Sequence, residues 1–273
     1  VAFFSIFNGA IATKNHFDTG KIVAFDEIEW QIEKGVNALV VCGTTGESAV
    51  LSHEEHVRVI EIAVRQAAGR VPIIAGTGSN DTAYAVKLSL EAQSLGVDAL
   101  LMVTPYYNKT SQTGLVAHYN YIADRVSKPI ILYNVPSRTG VNIKPETYAK
   151  LADVENIVAI KEANGDISSV VKTRLLCGDR LDIYSGNDDQ IVPIMSLGGK
   201  GVISVLSNVL PKETHDLTSF CLGGDFACLL HEHNLLGIFN YKHYFIPKAS
   251  NVRLVVSAIP SAPCTVTSLP ESA

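Results

Sequence analysis

The residue of this 273-residue chain whose type and position most directly imply chemistry is Lys161. It closes the apolar run Ile157-Val158-Ala159-Ile160, and Glu162-Ala163-Asn164-Gly165 follow it. A short run rich in β-branched residues reads as a strand buried on both faces. Ending such a strand in an ammonium has a consequence, because taking the charge out of water is costly and the usual response is a lowered pKa. A lysine partly neutral near physiological pH is a nucleophile able to form a Schiff base with a carbonyl compound. The plain alternative is a side chain that snorkels from the strand end to water.

Residues at the ends of the neighbouring apolar runs weigh on that choice. Strand-like runs fall at 38–41, 71–75, 99–103, 130–133, 157–161, 181–185 and 201–204, with a weaker first one at 9–13. Amphipathic segments lie between them. Residues 54–67 place Val57, Ile60 and Val64 on one stripe, and 82–95 do the same with Ala85, Leu88, Ala92 and Leu95. Gly35, Gly69 and Gly96 stand before the next strand, where a helix end calls for a left-handed residue. Eight strands each followed by a helix imply a parallel sheet closed as a (β/α)8 TIM barrel. An open doubly wound sheet is the runner-up. Gly76-Thr77-Gly78 matches its dinucleotide loop poorly, and no Walker loop is present. Residues 1–208 are expected to form the barrel. Residues 209–273 form a C-terminal helical region and tail packed on it, with helices at 211–222 and 226–244.

In such a barrel the active groups sit at the carboxyl ends of the strands. Those ends carry Gly43-Thr44-Thr45-Gly46-Glu47-Ser48, Thr104-Pro105-Tyr106-Tyr107-Asn108, Tyr133-Asn134-Val135-Pro136-Ser137-Arg138-Thr139-Gly140, Lys161, Ser185-Gly186-Asn187-Asp188 and Ser204. Hydroxyls, one lysine and one arginine converge on one mouth, an inventory suited to an anionic carbonyl compound. Tyrosine and threonine hydroxyls both donate and accept, so they can pass protons. Arg138 can grip a carboxylate with two parallel hydrogen bonds, and the N–H groups of Thr44-Thr45-Gly46 can hold a second. Each residue also has a structural reading: Thr44 and Thr45 as helix caps, Tyr106 and Tyr107 as an interface patch, Tyr133 as a core aromatic, Arg138 as a surface ion pair. Joint placement at successive strand ends favours the chemistry.

Composition excludes other classes. Hydrophobic residues make up 47% of the chain and charged residues 18%, so a sizeable core can be buried. A net charge of -5 without a basic run argues against a nucleic-acid surface, and no apolar stretch reaches the roughly 20 residues of a membrane span. The five cysteines form no C-x-x-C pair, which reads as a reduced, cytoplasmic chain. His53-Glu54-Glu55-His56 lacks the i, i+4 spacing of a zinc helix, and His231-Glu232-His233 points its rings apart, so no metal site is expected.

The four motifs around Thr44, Tyr107, Arg138 and Lys161 together resemble the dihydrodipicolinate synthase family of pyruvate-dependent barrel enzymes, over roughly residues 29–208. The Pro-Ser-Arg-Thr-Gly loop separates it from related sialic acid and keto-deoxy sugar acid aldolases. The resemblance implies that Lys161 forms an imine with pyruvate, needs no cofactor, and attacks aspartate semialdehyde as the enamine. It implies a proton relay of Tyr133, Thr44 and Tyr107, with Tyr107 reaching into a neighbouring subunit of a homodimer or homotetramer. Thr45 and Arg138 would hold the two carboxylates, and Gly186 and Ile203 would line the pocket. A lysine-binding allosteric site would comprise Ser48, Ala49, His53, His56, Asn80, Tyr84 and Tyr106. Tyr84 replaces an acidic residue there, so weak or absent lysine inhibition is expected. Residues 1–28, with Thr13-Lys14-Asn15, and the tail after Phe245 depart from the family pattern. The other readings are a different 2-keto acid aldolase and a barrel that binds ligands without catalysis.

Overall fold

The structure, a computed structural model, describes residues 26–225, with Asp26 described by its backbone alone. Its centre is a sheet of seven parallel strands whose spatial order follows the sequence: β1 (Leu39–Val41), β2 (Ile73–Gly76), β3 (Ala99–Val103), β4 (Ile130–Asn134), β5 (Ile157–Glu162), β6 (Asp182–Ser185) and β7 (Gly201–Val202). The helices are α1 (Asp26–Glu33), α2 (His53–Ala67), α3 (Thr82–Ser94), α4 (Gln112–Ala123), α5 (Pro136–Thr139), α6 (Pro145–Leu151), α7 (Ile167–Cys177), α8 (Ile191–Ser196) and α9 (Pro211–Gly223). Each crossover from one strand to the next parallel strand runs through a helix, as the alternation of apolar runs and amphipathic segments requires.

The strands are apolar on both sides because each side meets a different core. One cluster contains Leu39, Val41, Ile73, Ala75, Leu100, Ile130, Leu132 and Ile160 and packs against the helices. The alternate residues Ala38, Val40, Ile74, Ala99, Leu101, Ile131, Tyr133, Ala159 and Tyr184 form a second cluster on the other face. That two-sided burial is the pattern of a barrel whose interior is filled by side chains. The sheet curls far enough to bring its ends together. Gln31 Nε2 on α1 donates to the Ser207 carbonyl beyond β7 at 2.7 Å, and His215 on α9 meets Asn37 before β1 at 3.1 Å.

All seven described strands lie within two residues of the expected bounds. The last is cut short: β7 stops at Val202, so Ile203 and Ser204 follow the strand. In α2 the buried line is His56, Val59, Ile60, Ala63 and Ala67, while Val57 and Val64 are half-buried at its edge. The expected stripe is thus correct at Ile60 and rotated at its flanks, because a sheet contacts a broad arc of helix. In α3, Ala85, Leu88 and Ala92 are buried as expected. Gly35, Gly69 and Gly96 all have positive φ. The expected strand at 9–13 and helix at 226–244 lie outside the described residues.

Gly76, at the end of β2, is where the backbone comes closest to a neighbour. A Cβ built there would lie 2.1 Å from the Cys42 carbonyl oxygen, and neither backbone can yield cheaply. Gly76→Ala is expected to destabilise the fold by about 2–4 kcal/mol in a urea titration, against a change of less than about 1 kcal/mol for Gly223→Ala. Open space surrounds Gly223.

Candidate active site

Lys161 is the next-to-last residue of β5, and its side chain lies on the inner face between neighbours on both flanking strands. It pairs with Tyr133 on β4 and with Tyr184 on β6. Only 6% of its surface is exposed, and its Nζ sits 4.4 Å from the centre of the Tyr133 ring. It therefore does not snorkel to water. Burial lowers its pKa from 10.5 to about 8, with the Asp188 carboxylate opposing that shift and the Arg138 guanidinium adding to it. At that value about a tenth of the amine is neutral at pH 7, far more than at the ordinary lysine pKa, and the neutral amine is the state that attacks a carbonyl.

Tyr133 is buried beside it. Burial raises the pKa of its phenol, while a hydrogen bond with Thr44 and the nearby charge of Arg138 pull it back. Thr44 and Thr45 stand in the turn after β1 and leave helix capping to Ser52, which forms a capping box with Glu55 at the start of α2. Arg138 projects from the short helix α5, exposed at the mouth and close enough to act electrostatically on both Lys161 and Tyr133. Gly186 borders the lysine tail. A Cβ there would come within 3.2 Å of Lys161 Cε and 2.8 Å of the Ala163 Cβ, so the position must stay bare. Ile203 is fully buried, and its N–H donates to the Ser185 carbonyl at 2.8 Å. The N–H of Gly186 is likewise committed, to the Glu162 carbonyl at 2.7 Å. The N–H groups of both residues are thus already engaged within the barrel.

Tyr107 is not brought to this site within its own chain. It is 90% exposed on the β3–α4 loop with φ 71°, and its hydroxyl has no partner among the described residues. A non-glycine residue held in the left-handed region with its ring in solvent is an uncommon arrangement.

Sequence reasoning did not single out Asp188. Its carboxylate accepts hydrogen bonds from the Ser204 hydroxyl, from the Leu206 N–H at 3.0 Å and from the Val205 N–H at 3.2 Å. Burial raises its pKa and these donors lower it, as does the charge of Lys161. Asp188 is the negative charge that balances a protonated Lys161. The pairing of an acid after β6 with a hydroxyl after β7 was the available signal.

The residues of the expected regulatory site form a second group, apart from Lys161. Tyr84 on α3 packs edge-on against His53 of α2, with ring centres 5.8 Å apart, and its hydroxyl lies 3.3 Å from His53 Nδ1. His53 Nε2 meets Glu91 at 2.9 Å, so both of its nitrogens are engaged. Tyr106 lies near enough to raise the pKa of Tyr84, after burial, Glu91 and Glu54. His56 faces elsewhere, its Nε2 2.8 Å from the Gly76 carbonyl. Ser48 and Ala49 occupy the one-turn helix Ser48–Val50, and Asn80 precedes α3. An open groove of about 790 Å³ begins at Asn80 and Asp81 and runs along Pro105, Asn108, His118 and Tyr121, away from the lysine.

A parallel barrel with an amine buried at the end of an inner strand, an arginine at its mouth and a phenol beside it defines a Schiff-base-forming class of enzyme. The sequence pattern of the Dihydrodipicolinate synthetase family matches residues 10–260, and the chain belongs to that family. The 4-hydroxy-tetrahydrodipicolinate synthase of Thermoanaerobacter sp. (strain X514) is 55% identical over 199 residues, covering 72% of this chain and 67% of the relative. Among solved structures, the dihydrodipicolinate synthase DapA-2 of Bacillus anthracis aligns with a TM-score of 0.85 at 35% identity, covering 99% of this chain and 94% of that one. The enzyme of Cyanidioschyzon merolae, solved with lysine bound, aligns at 0.84 and 33% identity over 93% and 88% of the two chains. The fold is a TIM barrel, and the match extends further toward both ends than the four motifs alone.

The lowered pKa of Lys161 carries a stability cost with a definite sign. Its folded value of about 8 lies below its ordinary 10.5. Between those values the unfolded chain holds the extra proton, so stability rises with pH through that window. Below it the cost is full, on the order of 3 kcal/mol at about 1.36 kcal/mol per pKa unit. Lys161→Met is expected to raise the melting temperature near neutral pH by several degrees, at roughly 2–4 °C per kcal/mol. Calorimetry across the pH range should find that gain shrinking above about pH 8 and gone by about pH 10.5.

Proposed function

We propose that this chain condenses pyruvate with L-aspartate-4-semialdehyde through an imine on Lys161, giving 4-hydroxy-tetrahydrodipicolinate for lysine and diaminopimelate biosynthesis. The observation that carries the reading is the Lys161 amine, buried against the Tyr133 ring with a pKa drawn toward neutrality. The neutral amine attacks the keto carbon of pyruvate, and water leaves as the imine forms. Loss of a methyl proton gives the enamine. Its carbon attacks the aldehyde, whose oxygen takes up a proton, and the amine of the semialdehyde then displaces Lys161 as the ring closes. The lysine is its own covalent carrier, so the reaction needs no separate cofactor.

The residues divide the remaining work. Tyr133, whose ring lies beside the amine, moves protons at the imine through its hydroxyl, and the hydrogen bond with Thr44 continues the relay. Thr45 serves the pyruvate carboxylate and Arg138 that of the semialdehyde, the latter with a guanidinium fork matched to two oxygens. Gly186 and Ile203 leave room for the three-carbon substrate. Tyr107 completes the relay in a neighbouring subunit, which makes a homodimer the smallest active unit. Its exposed ring on a left-handed backbone supports that assignment. A cytoplasmic setting fits the thiols: among the described residues Cys42, Cys177 and Cys221 are free, the first two buried. No helix of the described residues is long and apolar enough to cross a membrane.

Borohydride added with pyruvate is expected to fix a pyruvate adduct on Lys161, read by mass spectrometry of the peptide. Untreated protein should turn over aspartate semialdehyde with pyruvate, and Tyr133→Phe should lower that turnover by about a hundredfold or more. Adduct formation without turnover of the semialdehyde, but with cleavage of a keto-deoxy sugar acid, would assign the aldolase reading instead. A folded protein giving no adduct would leave only ligand binding.

Lysine should regulate this chain weakly. The position that would face the ligand's ammonium carries the phenol of Tyr84, and His53 is already engaged by Tyr84 and Glu91. A missing carboxylate facing an ammonium costs roughly 1.5–3 kcal/mol, about a tenfold to hundredfold loss of affinity. Calorimetric titration should find little lysine binding in the wild type and a clear gain in Tyr84→Glu. Tight binding to the wild type would contradict this account.

A further inference from the structure

The two residues that follow Tyr133 and Lys161 on their strands, Asn134 and Glu162, form a buried cluster that the mechanism above does not use. Side chains alternate along a strand, so Tyr133 and Lys161 face the barrel interior while Asn134 and Glu162 face the helix layer. They are successive rungs of one ladder: Tyr133 pairs with Lys161, and Asn134 with Glu162. Asn134 is fully buried, and Glu162 is 4% exposed.

Every contact on the Glu162 carboxylate comes from a donor. Asn134 Nδ2 reaches its two oxygens at 3.0 and 3.2 Å, the Tyr148 hydroxyl on α6 reaches Oε2 at 3.0 Å, and the Asn164 N–H reaches Oε1 at 2.9 Å. Asn134 in turn holds the chain that returns from the Arg138 helix. Its Nδ2 donates to Asn142 Oδ1 at 2.8 Å, and its Oδ1 accepts from the Ile143 N–H at 3.0 Å. One cluster thus ties together β4, β5, α6 and the segment beyond Arg138.

The ladder needs such a tie. Between Ile130 and Ile131 its register shifts: Ile130 pairs with Ile157, but Ile131 pairs with Ala159, leaving Val158 as an extra residue on β5. A bulge loosens the register of the rungs beyond it, and a slip of one residue turns every later side chain to the opposite face. Four rungs follow the bulge, and the third is Tyr133 with Lys161.

We propose that Glu162, gripped by Asn134, Tyr148 and the Asn164 N–H, is a positioning residue that locks the last rung of β4 and β5 and so holds the Lys161 amine against Tyr133. The inference rests on the imine chemistry proposed above. It accounts for a carboxylate buried at a cost. Burial pushes the Glu162 pKa up to about 7 against the pull of its donors, a penalty that a neutral core residue at the same place would avoid. It also predicts that glutamine is a poor substitute. The amide of Glu162→Gln would turn at least one N–H against the N–H groups of Asn134 or Asn164.

The test measures the rate at which borohydride traps pyruvate on Lys161, together with the melting temperature and the KM for each substrate. Four proteins are compared: wild type, Glu162→Gln, Tyr148→Phe, and the exchanged pair Asn134→Asp with Glu162→Gln. Displacing a reacting amine by a fraction of an ångström should slow trapping about tenfold in Glu162→Gln and about threefold in Tyr148→Phe. The KM for pyruvate should move less than the rate does. The exchanged pair, which restores a donor facing an acceptor across the rung, should trap at least about threefold faster than Glu162→Gln alone. Should Glu162→Gln fail to fold, Tyr148→Phe decides the matter, since it removes one hydroxyl from the cluster's edge. Folded variants that trap pyruvate at the wild-type rate would overturn the positioning role while leaving the imine chemistry intact. Wild-type protein that traps no pyruvate would overturn both.

Discussion

The structure depends on one unfavourable act: a primary amine is taken out of water at the end of an inner strand. A strand buried on both faces gives the amine a fixed direction, since alternation along β5 turns Lys161 toward the interior and neighbours on both sides restrict it. The same burial weakens its hold on the proton. Position and reactivity therefore come from a single cause. Asp188, held by Ser204 and two backbone N–H groups, keeps the protonated form tolerable without cancelling the shift.

The surrounding elements serve that amine at different distances. Beside it Tyr133 supplies a phenol, with Thr44 at the outer end of the hydrogen bond. Gly186 is bare where a methyl group would press on the lysine tail. Arg138 sits at the rim, where a flexible cation can meet a carboxylate and still bias the field inside. Behind the strands, the Glu162 cluster faces the helices and never meets the substrate. It fixes the rung on which the chemistry stands.

Much of this was legible in the residues. The two-sided apolar runs gave the parallel strands, because burial on both faces leaves no polar alternation. Helix ends were marked by Gly35, Gly69 and Gly96, whose positive φ no larger residue adopts easily. Lys161, Tyr133 and Arg138 were visible because polar groups at the ends of apolar runs need a reason. Other features were hidden. Val57 and Val64 sit at the edge of the α2 interface because a helix on a sheet buries an arc, which a narrow stripe underestimates. Asp188 and Glu162 looked like ordinary loop and strand-end acids, since their partners arrive from Ser204, Tyr148 and Asn134, all distant in sequence. The bulge at Val158 leaves no mark in the residue pattern. Tyr107 stands exposed on its loop, so a place at a strand end did not by itself bring it to Lys161.

The central claim concerns the charge state of one side chain, and a direct titration tests it. The Lys161 amine can be followed by NMR across the pH range in protein labelled at lysine, with Lys161→Met assigning the signal. The account predicts a midpoint near 8. A midpoint at or above the ordinary lysine value of 10.5 would mean that the amine is solvated, and would contradict it.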